Sequence, residues 1–258
     1  MKENPEKRMS LGEHIEELRR CLVIAAGSFA AAFILCISFG RHVISFARWP
    51  LMQTVKQMKL PPETVQQLSG ALSPMDGFAA LVRFSLMLSL LISLPIMARE
   101  LWVFIAPGLK EKERDAIRPV FLFGGGMFAL GMIVAFLFAC PIALEALFFF
   151  NTWLGFDNRW TGASIIQLVT MVCLGFGAVF ELPLILMIFG RLGMVSPAWL
   201  RKYRRHSIMA IFIIAAILTP PDPFTQILMA TVLMILYEIS ILLVARVYPW
   251  PVDSTAKR

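Results

Sequence analysis

Residues 207–221, SIMAIFIIAAILTPP, and residues 223–245, PFTQILMATVLMILYEISILLVA, are two apolar runs separated only by Asp222. Their division decides how often the chain crosses a membrane and on which side it ends. The first run is 15 residues long, roughly 22 Å as a helix, against a hydrocarbon core of roughly 30 Å. It is therefore either a short spanning helix or a re-entrant segment that returns to its own side. Upstream, Ser196-Pro197 supplies an N-cap and a first-turn proline. The helix can thus start in water and carry Arg201, Lys202, Arg204, Arg205 and His206 before it enters the bilayer. Thr219-Pro220-Pro221-Asp222-Pro223 cannot be helix interior, because proline lacks a donor and disfavours helix in the residue before it. That stretch reads as a tight hairpin between two helices.

Four further runs are long enough to cross: residues 21–40, 77–98, 119–144 and 160–190. The second contains Arg83 near one end, where its long stem can snorkel to the headgroups, and the fourth contains Glu181. Basic residues decide the sidedness. With six spans, 18 of the 24 Lys and Arg residues fall on one side, in residues 1–20, the loops 99–118 and 191–206, and residues 246–258. The opposite side, which includes the long loop 41–76, holds five. A re-entrant 207–221 would move Arg246, Lys257 and Arg258 to the poorer side. The positive-inside rule thus predicts an all-α polytopic membrane protein, residues 1–258 forming one domain, with six transmembrane helices (21–40, 77–98, 119–144, 160–190, 207–221 and 223–245) and both termini cytoplasmic.

Composition agrees. With 58% hydrophobic residues, 16% charged residues and a mean hydropathy of +0.74, the chain lacks the charged skin of a soluble domain. The net charge of +7 is then an orientation signal, and no nucleic-acid partner is expected. Cys21, Cys36, Cys140 and Cys173 all lie in apolar runs without C-x-x-C spacing, so neither a disulfide framework nor a metal set is expected, and no cofactor. No hydrolase or metalloprotease signature is present, and His14, His42 and His206 all flank spans, so the chain is not expected to be an enzyme. Arg19-Arg20 before an apolar run has the look of an export signal. The run exceeds the roughly 7–15 residues of a signal core, however, and five spans follow it. Residues 43–59 have amphipathic spacing, and Trp153 and Trp160 read as an interfacial belt.

A charge inside the membrane costs at least a few kcal/mol, roughly, so each one is a candidate for function. Glu181 lies in Phe180-Glu181-Leu182-Pro183, where Pro183 leaves the Val179 carbonyl without its donor. Two roles stay open: a protonated acid capping that carbonyl, or a substrate contact facing a polar spot. Glu238 and Gln226 in the last span are similar, and Asp222 suits a solvated turn. A proton-coupled transporter of small solutes would use Glu181 and Glu238 as relay carboxylates, but the paired repeats common in such proteins are not visible. On the cytoplasmic side stand two acidic clusters, Glu13, Glu16 and Glu17 before the first span, and Glu111, Glu113 and Asp115 after the second. Paired carboxylates fit guanidinium groups in a geometry that lysine cannot match.

Four stretches resemble the TatC family, the multispanning core of the twin-arginine protein export system. They are His14-Ile15-Glu16-Glu17-Leu18-Arg19; residues 101–109, LWVFIAPGL, with Glu113-Arg114; residues 176–183, FGAVFELP; and residues 218–226, LTPPDPFTQ. The resemblance implies a bacterial inner-membrane receptor for signal peptides with two consecutive arginines, in a complex that exports folded proteins using the proton-motive force. It implies a glove-like concave bundle, single-span partners of the TatA/TatB type, self-association into a multimeric receptor, and contact with membrane lipid. Matched residue by residue, it assigns signal-peptide binding to Glu17, Arg19, Phe104 and Glu113, with Glu16 and Glu111 beside them. It makes Pro50 the outer-loop proline and Glu181 the intramembrane acid, and it puts Gln226 and Asp222 where a partner helix meets the outer hairpin. In relatives the acid matching Glu113 is commonly followed by two basic residues. Here Asp115 follows Arg114, so the loop is more acidic and Glu111 and Asp115 are possible substitutes.

Overall fold

A computed structural model of the protein describes residues 11–61, 63–68, 70–108, 124–219 and 222–248. Among these residues it is all-helical, with one isolated bridge between Gly70 and Thr161. Helix α1, Leu11–Ser38, starts well before residue 21. Its charged first turns stay helical because Glu16 and Arg20 share a face, a pairing that supports helix in water.

After α1 the chain folds back in two short amphipathic helices, α2 (Gly40–Ala47) and α3 (Trp49–Gln57), where the 43–59 spacing predicts them. Their inner faces bury Val43, Ala47, Leu51 and Val55. Pro50 is also buried, at the start of α3, and the Thr54 hydroxyl sits between the carbonyls of Pro50 (3.0 Å) and Pro141 (3.2 Å), tying this loop to the bundle. Helix α4 is Glu63–Gln67.

Helix α5 spans Asp76–Ile105 and continues as a 3₁₀ turn, Ala106–Gly108. It overruns the predicted end at residue 98, which carries Arg99, Glu100 and Phe104 on the same rigid rod as the membrane span. Helix α6 covers Gly124–Trp153. It widens into a π turn at Ala135–Ala139, directly before Pro141. Proline lacks the N–H that a regular turn would use and crowds the carbonyl four residues back, and the wider turn relieves both. Helix α7, Gly162–Phe180, opens on a reciprocal cap: Ser164 N donates to Thr161 Oγ1 at 3.1 Å, and Thr161 N donates to Ser164 Oγ at 3.2 Å. At Glu181 the chain passes into α8, Leu182–Arg191, with Pro183 in its first turn, where the sequence predicts a break.

Helix α9 is Pro197–Lys202, capped by Ser196 as predicted, but a turn at Tyr203 ends it, so the single helix expected to run from there into the membrane is divided in two. Helix α10, Arg204–Leu218, and helix α11, Pro223–Val247, form the closing pair. Among the described residues five segments are long and apolar enough to cross a membrane: His14–Ser38, Asp76–Gly108, Gly124–Trp153, Gly162–Arg191 and Pro223–Val247. The 15 residues of α10 fall short of that length, as the spacing of 207–221 anticipates.

The closest packing runs α1 along α5 and α8 along α11. Phe84, Val169, Phe176, Met229 and Leu233 are fully buried in the centre. Gly131 lets α6 and α7 touch, since a Cβ there would lie 2.6 Å from the Phe176 carbonyl oxygen. The outer faces expose Ile34, Phe138, Ile213, Ile217 and Leu242, the reverse of a water-soluble surface.

Candidate functional site

The first turns of α1 and the last turns of α5 meet at one end of the bundle. His14 stacks on Phe104 there, the ring centroids 4.5 Å apart and the planes 15° from parallel. One turn after His14 on α1 comes Glu17, and one turn after that Cys21. Glu17 Oε2 is buried and has no hydrogen-bond partner among the described residues. A carboxylate oxygen withdrawn from water without a donor is costly, and a cation or other donor beside it would offset that cost.

Beside it stands Glu100. Its side chain is 6% exposed and accepts from Arg99 Nη1 at 2.8 Å. Arg99 itself is 72% exposed. Cys21 and Glu100 line the same cavity, and Glu17 lies one turn before Cys21 on α1. Glu16 and Arg19 are exposed on the same stretch of α1, and Phe104 is half-buried. The predicted acids Glu111 and Glu113, with Asp115, lie outside the described residues.

From this mouth a cavity of about 490 Å³ runs into the membrane region, between α1, α5, α6 and α8. Leu18, Leu22, Leu94 and Leu101 line it, with Glu100 and Phe104 toward the mouth and Glu181 at depth. Glu181 sits on the α7–α8 break. Gly124 packs beside it: a Cβ there would lie in ordinary contact with Glu181 Oε2, at 3.5 Å, and closer to the end of the Leu184 side chain, at 3.0 Å. Glu181 thus lines the cavity from the α7–α8 break. The cavity offers carboxylates at both ends and hydrocarbon between them, which suits a cationic segment followed by an apolar one.

The other predicted residues lie elsewhere. Glu238 is half-exposed and paired with Arg204, Nη2 to Oε2 at 2.7 Å, and it does not line the cavity with Glu181. The relay pairing of Glu181 with Glu238 is thereby corrected: α10 begins at Arg204 and packs on α11, so the acid has a local partner. Gln226 Nε2 reaches the Phe212 carbonyl across α10 and α11 at 3.4 Å. Asp222 caps α11, accepting from Thr225 N at 2.7 Å and from the Thr225 hydroxyl. Pro50 is held in the α3–α6 contact, away from the cavity.

Glu100 is the site residue that the sequence reading overlooks, because residues 99–118 read as a loop. The available signal is its spacing, four residues before Phe104, which puts both on one helix face if the helix continues.

A family model described as "Sec-independent protein translocase protein (TatC)" matches residues 13–231. The Sec-independent protein translocase protein TatC of Helicobacter pylori strain J99 is 35% identical over 244 residues, covering 95% of this chain and 92% of the relative. That of Magnetococcus marinus is 36% identical over 241 residues, covering 92% and 84%. Among solved structures, a crystal structure of the twin arginine translocase receptor TatC superposes with a TM-score of 0.74 at 29% identity, covering 91% of this chain and 99% of that one. A second, in DDM, gives 0.74 at 30% identity, covering 89% and 98%.

Proposed function

The chain belongs to the TatC family, and from that premise we propose that the α1–α5 mouth and the cavity beneath it receive a twin-arginine signal peptide. The protein is the receptor and core membrane subunit of Sec-independent export in the bacterial inner membrane, and it works as a transport component. The observation that carries the site assignment is the buried, unpartnered Glu17 Oε2, on α1 next to Leu18 and one turn before Cys21, both of which line the apolar cavity. One signal guanidinium pairs with Glu17, and Glu113 takes the other from the loop after α5. Glu16, Glu111 and Arg19 set the surrounding field, and Phe104 covers the arginine stems. The apolar part of the signal then lies along the leucine-lined cavity toward Glu181.

The membrane arrangement follows from the same reading. Helix α10 is the sixth, short crossing, and the basic residues around α9 and in the terminal segments keep both ends cytoplasmic. The bundle presents a concave, glove-like face on the α1–α5–α8 side. TatA/TatB-type single-span helices dock near Gln226 and the Asp222 hairpin, several copies assemble into the receptor, and the proton-motive force drives transport.

The test is calorimetric titration of a twin-arginine signal peptide into the full-length protein in detergent. Glu17→Gln and Glu113→Gln are each expected to weaken binding about tenfold or more, the scale of a lost charge-assisted pair. Unchanged affinity in both variants would remove the assignment.

A further inference from the structure

At the opposite end of the bundle from the α1–α5 mouth is a larger cavity, about 1280 Å³, walled by α2, α3, α4 and the first turns of α5. Five of its lining residues are basic or ionisable to a cation: Arg41, His42, Arg48, Lys56 and Lys59. Among the described residues none of them pairs with a carboxylate. The acids nearby are otherwise engaged or turned outward. Asp76 accepts the Leu72 and Ser73 backbone N–H groups at 2.9 and 3.1 Å, and Glu63 is exposed on α4 and does not line the cavity.

Two local features show that this concentration of charge is held in place. Arg48 is the joint between α2 and α3, and its Nε is buried without a hydrogen-bond partner among the described residues. Lys59 has a φ of 54°, the left-handed region where glycine is the usual occupant. The turn is closed by Leu60 N donating to Val55 O at 3.0 Å, a helix-ending pattern that normally takes glycine at this position. A lysine there accepts backbone strain and puts a cation on the cavity wall.

The floor is apolar, formed by Ile44, Val55 and Leu81. The cavity lies where α1 has just ended at Ser38 and α5 starts at Asp76, so it stands at the level where two spans leave and enter the bilayer. Phe39 and Phe78, next in sequence to the lining residues Gly40 and Gly77, are each more than half exposed. Basic side chains over an apolar floor at that level match an amphipathic anion whose phosphate stays at the interface while its chains remain in the hydrocarbon.

We propose that this cavity binds the phosphodiester headgroup of an anionic phospholipid, with Arg48, Lys56 and Lys59 as its principal contacts. The lipid anchors the α2–α3 segment to the membrane surface. The site is separate from the signal-peptide mouth, and its occupancy does not depend on that assignment.

The test is native mass spectrometry of the full-length protein released from micelles doped with phosphatidylglycerol or with phosphatidylcholine of the same acyl chains, each with and without excess inorganic phosphate. The wild type is expected to retain phosphatidylglycerol preferentially, and inorganic phosphate is expected not to displace it. The combined variant Arg48→Gln/Lys56→Gln/Lys59→Gly is expected to lose that preference by about a hundredfold, each lost cation contributing roughly fivefold. Lys59→Gly alone removes one charge while relaxing the backbone, so it keeps the fold and is expected to lose about fivefold. Equal retention of the two lipids by the wild type would overturn the proposal, as would wild-type retention by Lys59→Gly. Displacement by inorganic phosphate, or a bound acidic polypeptide in place of lipid, would overturn it too.

Discussion

The ring of His14 lies flat against that of Phe104, 4.5 Å between centroids, and so joins the segment before the first span to the helix end after the second. A stacked aromatic pair contributes about 0.5–1.5 kcal/mol beyond its buried area. His14→Ala and Phe104→Ala are expected to be coupled by that amount in a double-mutant cycle read by thermal unfolding in detergent. Additive effects would mean that the stack does not hold the mouth together.

Glu100 is buried while its partner Arg99 is mostly exposed, so the two ends of that pair respond differently. Arg99→Ala leaves a buried carboxylate with less compensation and is expected to cost about 1 kcal/mol, discounted for solvent screening of the exposed guanidinium. Glu100→Gln removes the buried charge and keeps the shape, and is expected to cost less. Unfolding midpoints of the two variants give the order, and a larger loss in Glu100→Gln would contradict it.

Much of this architecture is legible in the sequence. The break at Glu181-Leu182-Pro183, the capped start of α9 at Ser196-Pro197 and the amphipathic 43–59 segment stand where local chemistry puts them. The ends of α1 and α5 are not legible by hydropathy, because both helices run on through charged residues into water. That is why Glu100 reads as a loop residue. The cavity between the mouth and Glu181 is a tertiary product of four elements and has no local signature. Glu238 shows the converse: a charge within an apolar run looks functional until Arg204, 34 residues away, is found beside it.

Gly131 and Gly124 line the same helix but predict different losses. At Gly131 a Cβ would meet the Phe176 backbone at 2.6 Å, so Gly131→Ala is expected to destabilise by about 1–3 kcal/mol through overpacking. At Gly124 the nearest atom is the Leu184 side-chain terminus at 3.0 Å, with Glu181 Oε2 at 3.5 Å. Gly124→Ala is expected to fold with a near-normal unfolding midpoint and to bind signal peptide more weakly, because the methyl group narrows the cavity. A variant that melts early at Gly124 and normally at Gly131 would reverse this reading.

Asp222 holds α11 by capping Thr225. Asp222→Ala is expected to cost about 1 kcal/mol, within the range of a lost N-cap, and Asp222→Asn to restore most of it. Thermal unfolding of the two variants checks the cap. Equal losses would assign the residue a role that depends on its charge.

The receptor role is tested most directly by photocross-linking from Leu101, which lines the cavity and carries no charge, to precursors bearing Arg-Arg or Lys-Lys in the signal. Fixed carboxylates at the mouth predict strong cross-linking of the Arg-Arg precursor, a loss of about tenfold or more with Lys-Lys, and a smaller difference between the two in Glu17→Gln. Equal cross-linking of the two precursors to the wild type would contradict the assignment of this cavity as the signal-peptide site.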